Sequence, residues 1–227
     1  LSIWARPDLA HAVSVLGRYV HNPSEKLWAA YDRIAKYLIK TKDFRVLFGT
    51  LDRKHGQGEL YAYSDSDWGG SIDDRRSTSA YTFFLGGAAI SWKVKLSPTV
   101  CLSTQEAEYV GMSEATKEAL NLRMLLKQLG FGSPAPTTIY GDNHGAITMG
   151  LHPANKPATR HIDMRRHFLR QHVELKNVTT PYVKTDGMVV DCMTKQTPRA
   201  THTRHFGTIF GAQDSTLPLK PIVKLVE

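Results

Sequence analysis

Four isolated acidic residues, Asp65, Glu108, Asp142 and Asp191, stand where the local pattern changes from one kind of element to the next. Asp65 closes an aromatic, alternating run (YAYSD), and Asp142 closes a second run of strand character (TTIYGD). Glu108 falls in the first turns of a long helical stretch, and Asp191 opens a short helix after YVKTDGMVVD. Strand ends and helix starts are where an open α/β sheet gathers its functional side chains. Carboxylates drawn together at such a place repel one another unless a cation neutralises them. An all-oxygen donor set suits a hard divalent ion, Mg²⁺ or Mn²⁺, rather than zinc. Two such ions about 3.5–4 Å apart form an apparatus for phosphodiester hydrolysis, one activating a water and the other stabilising the leaving oxygen.

Helical spacing separates Glu108 from its neighbour Glu106. Glu108 shares a face with Met112, Ala115, Ala119, Leu122 and Leu126, which turns it toward a core, whereas Glu106 falls with Ser113, Lys117 and Asn121. Asp65 and Asp67 lie on one side of an extended strand, and Asp65 is preferred because it directly follows the aromatic run. Asp67 then reads as a turn former or a support for Asp65. Asn143, beside Asp142, reads as the cap of the following helix.

The chain around these acids is basic. Lys and Arg total 29 against 21 Asp and Glu, a formal net charge of +8 that favours a polyanionic partner. Arg75, Arg76, Ser77 and Thr78 offer phosphate donors soon after the first acid. Lys93 and Lys95 alternate with Val94 and so point the same way from a strand. A further basic surface is expected on a helix at about 160–176. Two cysteines, Cys101 and Cys192, cannot build a disulfide framework or a four-cysteine zinc site, and they suit a reducing compartment. His202 and His205 lack the paired spacing of known zinc sites. No apolar run approaches the roughly 18 residues that span a bilayer. LSIWARPDLA lacks the continuous apolar core of a signal peptide, and the chain reads as a piece of something longer.

The elements that position the acids follow from pattern. Residues 1–42 read as mainly helical, with Asn22-Pro23-Ser24-Glu25 as a helix start capped by Asn22. RVLFGTL, ELYAYSD, TSAYTFFL and AAISWKVK read as strands, the last two joined by a tight Gly86-Gly87 hairpin, with TVCLS as a further strand. A helix over about 105–130, a strand at TTIYGD, a short helix, the basic helix, a strand at about 178–184 and a helix from about 188 follow. Antiparallel strands followed by alternating helices and strands imply an α/β fold with a mixed sheet flanked by helices.

These blocks, in this order, resemble the ribonuclease H domain of copia-type retrotransposon polyproteins, preceded by the end of the reverse transcriptase. The resemblance rests on ARPDLAHAVSVLGRYVHNPSEKLWAAYDRIAKYLIKTKDFRVLF, YSDSDWGG, DRRSTSAY, ISWKVK, LSTQEAEYV, YGDNHGAI, RHIDMRRHFLR and VVDCMTK. It implies a ribonuclease H-like fold with a five-stranded mixed sheet, three antiparallel strands and then parallel ones. It divides the chain into a helical connection segment at 1–50, the ribonuclease H domain at 51–212 and a tail or linker at 213–227. By position, the family's metal-binding acids fall on Asp65, Glu108, Asp142 and Asp191. The implied activity is endonucleolytic hydrolysis of the RNA strand of RNA–DNA hybrids with two Mg²⁺ ions, for which Mn²⁺ can substitute. The implied partners are the hybrid and the polymerase domain of the same polyprotein. The implied location is cytoplasmic, in a virus-like particle, or nuclear. Two departures stand out: Ala80 replaces a usual Gly after the RRSTS block, and Val190 replaces a usual Ala before Asp191. A domesticated copy that binds nucleic acid without cutting it is the competing expectation.

Overall fold

The computed structural model describes residues 1–49, 55–56, 58–151 and 160–211. Alternating aromatic and β-branched residues form β1 (Tyr61–Asp67), β2 (Thr78–Leu85) and β3 (Ala88–Leu96), an antiparallel meander. Gly86 and Gly87 join β2 to β3 with φ of 63° and 82°. Both central positions of the turn are left-handed, a demand glycine meets without steric cost. β4 (Thr137–Tyr140) pairs parallel with β1, and β5 (Val178–Thr179) pairs parallel with β4. The sheet order β3-β2-β1-β4-β5, three antiparallel strands and then two parallel ones, is the five-stranded mixed sheet that the resemblance implied.

Helices cover both faces, as a mixed sheet needs when each side of its strands is apolar. On one face lie α3 (Thr104–Gln128), α4 (His144–Leu151) and α5 (Arg160–Glu174). Tyr109, Met112, Ala115 and Ala119 of α3, with Leu169 of α5, pack there against Ala62, Phe83 and Ile139. The opposite face carries α1 (Ala10–Leu16), α2 (Glu25–Lys40), α6 (Asp191–Thr194) and α7 (Arg199–Phe210). Leu9, Ala12, Tyr37, Met193, Phe206 and Phe210 bury Tyr61, Tyr63, Phe84 and Trp92 on that side.

Residues of the first 42 positions therefore share the core of the sheet. A buried polar knot holds them: Arg6 donates to both carboxylate oxygens of Asp8 at 2.9 and 2.7 Å and to the Thr41 hydroxyl at 2.6 Å. Tyr37 donates to the same Asp8 carboxylate at 2.7 Å. Trp92 of β3 donates to the Ser2 carbonyl at 2.7 Å, fastening the chain start to the sheet edge.

Several expected elements differ. α2 is capped by Ser24, whose hydroxyl accepts from Leu27 N–H, so Asn22 and Pro23 lie before the helix rather than at its start. Residues 45–49 of the expected RVLFGTL strand are not a strand, and residues 50 and 51 lie outside the described residues. Leu47 instead donates to the Phe210 carbonyl and Gly49 to Gly86, which pins the run across the end of α7 and the hairpin. TVCLS forms bends leading to the cap of α3, not a strand. The last strand shrinks to two residues plus a bridge between Gly141 and Tyr182. The single helix expected from about 188 is two, α6 and α7, separated at Pro198. The tail at 213–227 and the boundary at residues 50–51 lie outside the described residues.

Candidate metal centre

β1, at the middle of the sheet with β2 and β4 on either side, carries Asp65 near its end. Asp142 follows β4, the parallel neighbour of β1, and Asp191 is the first residue of α6. One carboxylate oxygen from each of Asp65, Asp142 and Asp191 lies within 4.8 Å of the other two. Three distant stretches of chain thus deliver three acids to one point. Asp65 and Asp191 are buried, whereas Asp142 is half-buried and opens the group to solvent.

Glu108 comes to the same place from α3. Ser103 caps that helix by accepting from Glu106 N–H at 3.1 Å, while the Glu106 carboxylate turns back to accept from Leu102 N–H at 2.8 Å. Glu106 is thereby spent on the helix terminus, and Glu108, two residues further along α3, is 4% exposed. The Ser66 backbone N–H donates to its carboxylate. Burial, and then the charges of Asp65 and Asp142, push the Glu108 carboxyl up to about 10. The preference for Glu108 over Glu106 agrees with this placement. Ser113, read as part of a polar face with Glu106, is fully buried.

The other acids respond to the same crowding. Burial raises the Asp65 carboxyl, Lys195 opposes that rise, and Asp191 adds to it. Burial raises Asp191 as well, against a hydrogen bond from Lys195. Asp67 is raised by burial and by Asp65, and its carboxylate packs where a side chain on Gly70 would stand. Clustered acids whose ionised forms are disfavoured by burial and by one another fit a divalent cation, which supplies the missing positive charge to an all-oxygen donor set.

Two side chains that the sequence reading did not single out complete the cluster. Thr194 donates its hydroxyl to Asp65 Oδ2, and Lys195 Nζ lies 3.0 Å from Asp191 Oδ1. The spacing of Asp191 and Lys195, four residues apart on a helix start, is an ion-pair signal that was present in the sequence. Thr185 donates to Asp142 Oδ2 at 3.1 Å from the loop before α6. Asn143 caps α4, its Oδ1 accepting from Ala146 N–H at 3.0 Å, as expected.

No protein-family model matches the chain. It is 36% identical over 197 residues to the retrovirus-related Pol polyprotein from transposon TNT 1-94 of Nicotiana tabacum, a match over 87% of this chain and 14% of that protein. The Pol polyprotein from transposon RE2 of Arabidopsis thaliana is 35% identical over 86% of this chain and 13% of its own length. Over 86–87% of its length, the chain's homologues are thus retrovirus-related Pol polyproteins of transposons. The chain spans about a seventh of the length of those relatives. It is also 42% identical over 120 residues to the secreted RxLR effector protein 161 of Plasmopara viticola, covering 53% of this chain and 82% of that protein. Among solved structures, the ribonuclease H1 of Halobacterium salinarum superposes with a TM-score of 0.39 at 14% identity, covering 56% of this chain and 86% of that one.

The expected phosphate-contacting residues fare unequally. Lys93 and Lys95 are exposed on β3, an edge strand, and face the same cleft as Glu114 and Arg165. Arg75 is exposed with φ of 54°, and Arg76 pairs with Asp74 at 3.0 Å. Ser77 and Thr78 are buried and correct the expectation. The Ser77 hydroxyl accepts from Gly69 N–H and the Thr78 hydroxyl from Arg18, so both serve the turn and the N-terminal segment rather than an outside phosphate. Of the basic helix, Leu169 is buried against α3, while Met164 and His167 face outward. No described helix is long and apolar enough to cross a membrane.

Proposed function

We propose that this chain is the ribonuclease H segment of a Pol polyprotein and hydrolyses the RNA strand of RNA–DNA hybrids during reverse transcription. The observation that carries the reading is the convergence of Asp65, Asp142 and Asp191 oxygens within 4.8 Å, with Glu108 buried beside them, in a chain whose homologues are Pol polyproteins. Asp65, Glu108, Asp142 and Asp191 would hold two Mg²⁺ ions, for which Mn²⁺ can substitute. Bound there, the ions supply an activated water and neutralise charge on the leaving oxygen.

The chain's own residues do the positioning. Thr194 fixes the orientation of Asp65, and Thr185 that of Asp142. Lys93, Lys95 and Arg75, all exposed, would hold the hybrid by its phosphates, contacts that position a duplex without reading its sequence. Binding should then weaken steeply with salt. The strand preference would come from duplex shape and contacts to 2′-hydroxyls. The polymerase domain of the same polyprotein is the proposed partner that delivers the hybrid.

The test is cleavage of a labelled RNA–DNA hybrid in Mg²⁺ or Mn²⁺, beside RNA-only and DNA-only duplexes and an Asp142→Asn variant. The reading expects hybrid-specific cutting that the variant loses. Salt-sensitive hybrid binding without cutting would instead identify a binding module.

A further inference from the structure

Lys195 is the cation that the acid cluster already contains, and its setting differs from that of a structural ion pair. Its Nζ stands 3.0 Å from Asp191 Oδ1, and its charge acts on Asp65, Glu108 and Asp67 as well. The side chain is 39% exposed, against 8% for its partner Asp191. The Arg6–Asp8 pair offers a comparison within the same molecule: 7% and 0% exposed, with the Arg6 guanidinium also held by Thr41. That pair is locked. Lys195, by contrast, leaves from the C-cap of α6 on extended backbone (φ −141°, ψ 167°), with a flexible four-carbon stem free to swing toward solvent. Its backbone N–H stays bonded to the Asp191 carbonyl at 3.1 Å, so the ammonium can leave without unwinding the turn that presents Asp191.

We propose that Lys195 is the cluster's internal counter-ion, occupying in the metal-free protein the electrostatic place of a divalent ion and competing with it for Asp191 and Asp65. This rests on the proposed function, because it takes the four acids to be metal ligands. Two opposed consequences follow from one charge. Without metal, Lys195 relieves the repulsion among acids that burial has already made costly to ionise. With metal, the same ammonium beside a divalent ion is a like charge, so each binding event must work against it. The lysine is thus a positioning residue that sets how much free metal the site requires.

The experiment is calorimetric titration of Mn²⁺ into the full, metal-stripped chain as wild type, Lys195→Met and Lys195→Arg, with thermal melts in EDTA and in saturating Mn²⁺. Lys195→Met should bind Mn²⁺ about tenfold more tightly, melt below wild type in EDTA, and recover most of that difference when Mn²⁺ is saturating. Lys195→Arg, which keeps the charge, should stay near wild type in affinity. Unchanged or weaker Mn²⁺ binding by Lys195→Met, or equal destabilisation with and without metal, would overturn the proposal and leave an ordinary structural lysine. If Lys195→Met does not fold in EDTA, Lys195→Gln is read against the same criteria. Wild type that binds Mn²⁺ while the variants match it sinks the counter-ion alone. Wild type that binds no Mn²⁺ removes the metal centre itself, and the counter-ion with it.

Discussion

The Thr194 hydroxyl donates to Asp65 Oδ2 across 129 positions of sequence, tying the single-turn helix α6 to the central strand β1. Both residues are buried, so the bond is made away from water, and its acceptor is an acid of the candidate site. A hydrogen bond to a charged group contributes roughly 1.5–3 kcal/mol, and its loss leaves the acceptor unsatisfied. Thr194→Val keeps the shape and removes the donor. It should lower stability by about that amount in urea unfolding, and it should slow hybrid cleavage by roughly tenfold through a less well-oriented Asp65. Unaltered cleavage in a destabilised variant would show that the bond serves the fold alone.

Glu108 gives the metal-free protein a distinctive pH response. Its carboxyl is pushed up to about 10 in the folded state by burial and neighbouring acids, against 4.5 in the absence of those surroundings. Between these values the folded protein holds a proton that the unfolded chain has released. Stability from this group therefore falls as pH rises through the window, by up to about 1.4 kcal/mol per pH unit. Glu108→Gln cannot lose that proton. In EDTA, the variant should gain on wild type progressively from pH 5 to pH 8 in urea unfolding, while losing hybrid cleavage. A gap between the two proteins that does not change with pH would contradict the assignment.

Arg6 and Asp8 test whether the first 42 residues share the core. Their side chains are 7% and 0% exposed, and removal of one partner leaves a buried charge without its counterpart. Such a change costs about 3–5 kcal/mol, whereas replacing both partners by apolar residues is far less costly. Arg6→Met should therefore destabilise the whole cooperative unfolding transition by about that amount, and Arg6→Met with Asp8→Leu should recover a large part of it. If Arg6→Met merely frees the N-terminal segment and leaves the main transition in place, that segment is an independent unit.

Pattern carried the sheet and the four acids a long way, because period-2 alternation and the positions of Asp65, Asp142 and Asp191 at element ends are local facts. The burial of Glu108 likewise follows from the helical spacing of a few adjacent residues. What escaped notice depends on partners far off in sequence. RVLFGTL has strand composition, yet Leu47 and Gly49 spend their N–H groups on Phe210 and Gly86. Ser77 and Thr78 have the chemistry of phosphate donors, and only the packing of the turn and of Arg18 removes them from the surface. Thr194 was invisible for the same reason, since nothing near α6 says that β1 lies against it.

Acid should weaken the fold through the histidines on the face opposite α3. Burial lowers His202 to about 4, and His11, on which the charges of Arg18 and His202 also act, falls to about 4 for the same first reason. His202 packs edge-on against Phe206 at 4.7 Å between ring centres, an apolar neighbour that offers its charge nothing. Here the folded value lies below the unfolded one of 6.5, so between pH 6.5 and 4 the unfolded chain binds the proton first. The contribution of His202 is then full above pH 6.5 and lost as pH falls toward 4, at up to about 1.4 kcal/mol per pH unit. This slope is opposite in sign to that of Glu108, and single variants separate them. His202→Leu should lose less melting temperature than wild type on going from pH 7 to pH 4.5, whatever its stability at pH 7. Equal losses in the two proteins would mean that His202 is not held neutral by its surroundings.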